Sequence, residues 1–447
     1  TAVDIFGLSM ARLDLRQHSA WHAKAVAEIL GRPDYESLAE VEKQGLLTDK
    51  LGEARELSAA KIAGFSRDAR VVLDPLRLAV RAQADYGADA LGIYIISMTN
   101  EVSDVLEVQL LQALAGVRLP IAPLFETLDD LQRAPAILSA LYENKAYAPA
   151  LAQHGRHQHV MLGYSDSAKD GGLLAARWAL QCAQTQLLDI AATAGVELDF
   201  FHGRGGSASR GGGKTSAAIL AAPRATMNGR LRVTEQGEVI HRKYGIDALA
   251  LRTLAQTTAA VLAPSMLPPP EEAREARWSA MLATLAEVSL QHYRALVSDG
   301  DAFVAYFRDA TPIDVIERMS LGSRPARRGG AQIRDLRAIP WVFAWTQSRC
   351  VLTGWYGLGT ALEHGVREFG VDAMREMARD WRFLASLLAD VEMVIAKTDM
   401  AIARVFSELA GPLHARFFPM LETEHRRVRD MLALLTEREL LANDPRL

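Results

Sequence analysis

The feature that most limits how this chain can fold is a repeated unit: a short apolar run, a polar tip, then an Ala/Leu-rich stretch with helical spacing. The runs cover 91–98, 119–125, 158–164, 196–201 and 231–233, with a weaker one at 7–15. Such near-continuous apolarity marks strands buried on both faces. Ser19–Leu30 and, later, 273–297 and 371–409 place apolar residues every three or four positions, as helices do. Most runs end on residues able to do chemistry. Leu13-Asp14-Leu15 leads into Arg16 and Gln17, and Phe125 into Glu126. Tyr164 leads into Ser165-Asp166-Ser167, Phe201 into His202-Gly203-Arg204, and Val233 into Thr234-Glu235-Gln236.

In a parallel barrel the strands are buried and the chemistry gathers at their C-terminal ends. The pattern therefore predicts an α/β fold: a TIM-type (α/β) barrel, incomplete in this chain, with extensive additional α-helices. Six runs fall short of the about eight strands a closed barrel needs. Residues 1–250 are expected to hold the barrel strands, their helices and the site loops. Residues 251–447, almost wholly helical by pattern, form a C-terminal part that completes the site.

Composition narrows the function classes. The 447 residues are 49% hydrophobic and 23% charged, with a net charge of −4. That balance argues against nonspecific nucleic-acid binding, which needs clustered positive charge. No apolar run reaches the roughly 18 residues of a membrane span. Cys182 and Cys350 form neither a CxxC pair nor zinc spacing, which suits reduced thiols in the cytoplasm. The start, Thr-Ala-Val-Asp-Ile-Phe, lacks the basic and apolar regions of a signal peptide and does not begin with Met. It reads as the middle of a longer chain.

The most informative segment runs from Phe201 to Gly213. Six glycines (203, 205, 206, 211, 212 and 213) frame Arg204 and Arg210. Glycine lets backbone N–H groups approach an anion, and arginine grips phosphate or carboxylate in two places. The pairing favours an anion site over a merely flexible loop. Gly213-Lys214-Thr215 resembles the end of a nucleotide P-loop, but position 208, where that motif needs Gly, is Ala. Gly163-Tyr164-Ser165-Asp166-Ser167-Ala168-Lys169 offers a carboxylate for a hard cation and a nearby ammonium, or else a helix cap. Glu126 is a metal ligand or a strand-end charge. If it met Asp166, the two would suit Mg²⁺ or Mn²⁺. Arg324 and Arg337 sit in loop-like contexts where single cations are usually surface charges. Lys397 closes a helical stretch that reads, by itself, as structural.

Together these segments resemble the signature blocks of the phosphoenolpyruvate carboxylase family. The blocks are LDLRQHS, IISMTNEVSDVLEV, APLFETLDDL, GYSDSAKDGG, FHGRGG-x-x-x-RGGG, RVTEQGEVI, GSRPARR, LRAIPWVFAWTQSR and EMVIAKTD, in the family's order from Asp14 to Lys397. The resemblance implies a barrel with many added helices that converts phosphoenolpyruvate and bicarbonate to oxaloacetate and phosphate, using Mg²⁺ or Mn²⁺. It implies metal ligation by Glu126 and Asp166, and substrate contacts from Arg16, Arg204, Arg324 and Arg337. Arg210, Lys169 and His202 would act with Arg204 as catalytic residues, handling bicarbonate or carboxyphosphate under the closing glycine loop. Lys397 and Arg210 would belong to a site for an acidic feedback inhibitor, aspartate or malate. A cytoplasmic homotetramer is the family's usual form.

The chain departs from the family in three places. It lacks the Thr-Ala-His-Pro-Thr-Glu block with the family's catalytic His, and the C-terminal Gln-Asn-Thr-Gly. It reads Gly211-Gly212-Gly213-Lys214-Thr215-Ser216 where the family has Pro after the glycines, and Ser207-Ala208-Ser209 where the family has a Thr-Val-Gly-like stretch. The expected reading is a C-terminal portion of the enzyme. The alternative is a catalytically inactive truncated domain that binds only divalent metal and phosphoenolpyruvate.

Overall fold

The computed structural model describes residues 2–6, 11–204, 215–235, 237–267, 272–298, 300–319, 333 and 336–442. The apolar runs form strands β1 (Leu13–His18), β2 (Leu91–Ser97), β3 (Ile121–Phe125), β4 (His157–Gly163), β5 (Glu197–Gly203) and β6 (Arg232–Val233). Five lie within two residues of their expected positions. The first lies later than the 7–15 run, on Leu13–His18, and residues 7–10 are outside the described residues. β1 is less buried than the others, so its apolar signal is diluted by Asp14, Arg16 and Gln17.

The strands are hydrogen-bonded in chain order, β1-β2-β3-β4-β5-β6. β1–β2, β2–β3 and β3–β4 are parallel, with Arg16 beside Ile95, Ile95 beside Ala122 and Leu124 beside Met161. Parallel neighbours need a crossover between them, and the helices between the strands supply it. The order never reverses, so there is no switch point of the doubly wound kind. This is an α/β fold built of successive strand–helix units, as the sequence pattern predicts.

The chain divides into two compact units: residues 1–162 with 183–201, and residues 163–182 with 202–447. In the first unit, alternate residues of the strands share one face. Ile93, Ile95, Ala122, Leu124, Met161 and Phe201 form an apolar layer there. Helices Ser19–Leu30, Arg67–Tyr86 and Val102–Ala115 pack on one another. Two of their buried polar side chains, Glu107 and His22, meet tyrosine hydroxyls. Tyr35 donates to the buried Glu107 at 2.8 Å, and the His22 ring meets the Tyr94 hydroxyl at 2.9 Å.

The second unit carries the end of β5, where the Thr234 N–H donates to the His202 carbonyl at 3.0 Å. Its core is aromatic. Trp278, Trp341, Trp345, Phe303, Phe307 and Phe417 are all fully buried. Trp341 and Trp345, one helical turn apart, meet edge to face with ring centres 5.7 Å apart. The helical stretch 371–409 is three helices, Val371–Asp380, Arg382–Lys397 and Met400–Glu408. The second break has a local cause: Asp399 caps the third helix, accepting from the Ala401 and Ile402 N–H groups at 3.0 Å. Among the described residues no helix is long and apolar enough to cross a membrane.

Helices Leu358–Phe369 and Pro412–Thr436 approach closely because Gly359 has no side chain. A Cβ there would lie 2.7 Å from the Val428 backbone nitrogen, and backbone cannot swing aside. Gly359→Ala is expected to destabilise the protein by about 1–3 kcal/mol, measured by denaturant unfolding. An unchanged midpoint would contradict this packing.

Candidate functional site

In the first unit the candidate site lies at the ends of β1, β2 and β3. Phe125 ends β3, and Thr127 begins the next helix with a reciprocal cap to Asp130. Glu126 is the one residue between strand and cap. Its N–H donates to Asp130 Oδ2 at 3.1 Å, and Thr127 N–H donates to the same oxygen at 2.9 Å. Glu126 is 6% exposed. Arg16, from β1, donates to Oε1 at 3.3 Å, and the Met98 N–H donates to Oε2 at 3.1 Å.

Met98, just past β2, has φ of +57°, a conformation costly for a bulky residue. Its carbonyl is held by Ser19 Oγ at 2.8 Å and Asn100 Nδ2 at 3.0 Å. Those bonds stabilise the strained turn that aims the Met98 N–H at Glu126. The sequence brings Arg16 and Glu126 forward separately; the fold makes them a pair.

In the second unit the site is built around the end of β5. His202 is 6% exposed and Arg204 9%. The His202 Nδ1 and the Tyr164 hydroxyl are 2.9 Å apart. Burial, then the adjacent Arg204 charge, lowers the His202 pKa from 6.5 to about 3. The ring is therefore neutral at physiological pH, and a base that weak accepts few protons. Its chemistry is hydrogen bonding.

Two residues that sequence reasoning passed over complete this cluster. Arg177, on helix Leu173–Thr193, donates to Asp390 at 2.9 Å, and its guanidinium carbon lies 5.7 Å from the centre of the Tyr164 ring. Asp390 lies on helix Arg382–Lys397 and is itself buried. Burial lowers the Arg204 pKa and Arg177 lowers it further, while Tyr164, Asp390 and Glu235 act the other way. Two guanidinium groups thus share a buried region with the carboxylates of Asp390 and Glu235. Either guanidinium suits an anion.

The remaining candidates are placed as follows. Asp166 and Lys169 lie on the short helix Ser165–Gly171, whose N-cap residue is Tyr164, with no side-chain cap bond. Ser167 donates back to the Gly163 and Tyr164 carbonyls, so neither Ser165 nor Asp166 serves as a cap. The Lys169 carbonyl accepts from Tyr293 at 2.8 Å. Gly172 follows with φ of +80°, and a Cβ there would lie 3.1 Å from the Tyr293 ring. Arg337 is the residue before helix Ala338–Gln347, fixed by the burial of Trp341 and Trp345. Lys397 is exposed, at the end of the helix that carries Asp390. Gly203 ends β5, whereas Gly205, Gly206, Arg210, Gly211, Gly212, Gly213 and Arg324 lie outside the described residues.

Carboxylate oxygens are the donors that Mg²⁺ and Mn²⁺ prefer, and Glu126 in the first unit and Asp166 in the second each carry a carboxylate. Glu126 fits such a role well, since its carboxylate is already oriented from two sides.

The His202 pKa has a consequence for stability. Between about pH 6.5 and 3 the unfolded chain binds a proton at this ring that the folded chain does not. Stability therefore falls as pH drops through that window. His202→Asn, which keeps a polar group facing Tyr164, should flatten this fall by up to about 1.4 kcal/mol per pH unit. Denaturant unfolding at pH 7, 6, 5 and 4 measures it, and identical slopes in the two proteins would contradict the burial argument.

Comparison with known proteins shows the family of the chain. A family model described as phosphoenolpyruvate carboxylase matches residues 1–447. The chain is 51% identical over 453 residues to the phosphoenolpyruvate carboxylase of Xanthomonas oryzae pv. oryzae, covering 99% of this chain and 49% of that protein. It is 41% identical over 456 residues to that of Erwinia tasmaniensis, covering 99% of this chain and 50% of that protein. It is also 41% identical over 470 residues to that of Mycobacterium avium, covering 100% of this chain and 50% of that protein. The chain spans about half the length of the curated relatives it matches. A match along the whole chain, at such identity, shows that it belongs to the phosphoenolpyruvate carboxylase family.

Proposed function

We propose that this chain supplies the strand-end part of a site that carboxylates phosphoenolpyruvate with bicarbonate, giving oxaloacetate and phosphate. The observation that carries the proposal is the buried Arg204 guanidinium at the end of β5, with Arg177 near it and a neutral His202 two residues before it. Phosphoenolpyruvate bears a phosphate and a carboxylate, and a desolvated guanidinium binds either more strongly than an exposed one. The six strands in chain order support reading the sheet as part of a TIM-type barrel, in which substrates bind at such ends.

In this reading Arg16, Arg204, Arg324 and Arg337 bind the phosphate and carboxylate. Their positive charge favours the flow of electrons onto the enolate oxygen as the bond from phosphorus to that oxygen breaks. A bicarbonate oxygen forms the new bond to phosphorus, giving carboxyphosphate and the pyruvate enolate. Carboxyphosphate then splits to CO₂ and phosphate, and the enolate carbon attacks CO₂. Arg210, Lys169 and His202 hold bicarbonate and its phosphorylated product. His202 does so as a neutral hydrogen-bonding ring and not as the base. The loop of Gly203, Gly205, Gly206, Gly211, Gly212 and Gly213 excludes water, which would otherwise hydrolyse carboxyphosphate. Glu126 and Asp166 hold Mg²⁺ or Mn²⁺, which supplies charge neutralisation at the phosphate and the enolate oxygen.

Lys397 and Arg210 are proposed to bind an acidic inhibitor, aspartate or malate. An inhibitor engaging Arg210 would withdraw the loop from the substrate. The working form is proposed to be a cytoplasmic homotetramer.

The test is oxaloacetate formation by the protein that carries this chain, coupled to NADH oxidation by malate dehydrogenase. Turnover should require bicarbonate and Mn²⁺, and should fall at least about 100-fold in Arg204→Ala. Turnover that ignores bicarbonate, or survives Arg204→Ala, would overturn the reading.

A further inference from the structure

At the other end of the strands, the first unit carries a second cluster that the carboxylation chemistry does not use. His157 and His159 lie two residues apart on β4 and so share a face with Met161. Asp199 lies on β5, two residues before Phe201, and shares its face. Met161 and Phe201 belong to the apolar layer, so the two imidazoles and the carboxylate line that layer's edge near the strand starts.

The Glu197 N–H donates to the Arg156 carbonyl at 2.9 Å. In a parallel ladder that bond sets His159 level with Asp199. His157 Nε2 is 2.8 Å from Asp199 Oδ2, and the two imidazole rings are centred 4.4 Å apart. One ligand atom from each of the three residues lies within 4.8 Å of the others, and all three are half-buried.

We propose that His157, His159 and Asp199 bind one Zn²⁺ or a similar borderline divalent cation. Imidazole selects such metals over Mg²⁺, which prefers an all-oxygen shell. Ligands at about 2.0–2.2 Å from Zn²⁺ would stand roughly 3.3–3.6 Å apart, a change that side-chain torsions can supply from the present separations. Three protein ligands leave a fourth position for water. The ion ties β4 to β5 near the strand starts, while Glu126 lies at the opposite end of β3. Its part is that of a clamp on the sheet, and it stabilises the folded chain by mass action. This inference does not rest on the carboxylase reading.

The test uses the chelator-treated 447-residue chain with Co²⁺ as a coloured probe, in excess Mg²⁺, followed by competition with Zn²⁺. One equivalent of Co²⁺ should bind, with absorption bands of a low-coordinate nitrogen and oxygen site, and Zn²⁺ should displace it. His159→Gln and Asp199→Asn should each weaken Zn²⁺ binding at least tenfold, while circular dichroism shows them folded. X-ray absorption at the zinc edge of the unaltered chain should show two imidazoles, a readout that needs no variant. Equal affinity in folded His159→Gln and Asp199→Asn, sulfur scattering from Cys182 or Cys350, or no stoichiometric binding would overturn the proposal.

Discussion

Burying the Arg204 guanidinium is the constraint on which the second unit's site depends. Removing a cation from water is costly, and an unpaired one would be costlier than the fold could bear. Around Arg204 the cost is limited by Tyr164, Asp390 and Glu235, which favour its charged form, and by the neutrality of His202. Arg177 works against it, adding a second positive charge, and is itself bound to Asp390. The result is a region in which Arg204 and Arg177 are offset by Asp390 and Glu235.

That balance rests on three separate elements of the chain. Arg204 follows β5, Arg177 rides on helix Leu173–Thr193 and Asp390 on helix Arg382–Lys397. None of these could hold a charge in place if its own support moved. The helix with Asp390 buries Leu384, Leu387, Leu388 and Val391, and the aromatic cluster fills the same core. The core therefore sets the positions of charges as well as contributing stability. The first unit solves a related problem differently. There a strained turn at Met98 and a helix cap at Thr127 fix a single carboxylate, Glu126, from both sides.

Strand–helix alternation and the polar tips were legible in the sequence because apolar periodicity is a local signal. Glu126, Asp166, His202 and Arg204 could be singled out because each follows an apolar run. Arg177 and Asp390 could not be. Each sits in a helix whose pattern assigns it a place on an ordinary turn, and their pairing spans more than two hundred positions of chain. Met98 left no trace either, since nothing in its type foretells a positive φ. The His157-Gln158-His159 alternation is visible on β4, but its partner Asp199 becomes relevant only when β5 is laid beside it. The break at Thr398–Asp399 was masked by continuous helical spacing on both sides and set by one capping side chain.

We propose that the carboxylates of Glu126 and Asp166 serve as ligands of a divalent cation. Titration of the chain with Mn²⁺, followed by the electron paramagnetic resonance of the free ion, tests it most directly. The account predicts an oxygen-ligated Mn²⁺ site that weakens at least tenfold in Glu126→Gln and again in Asp166→Asn, with both variants folded and the His157 cluster intact. Mn²⁺ binding equal to that of the unaltered chain in both variants would contradict it.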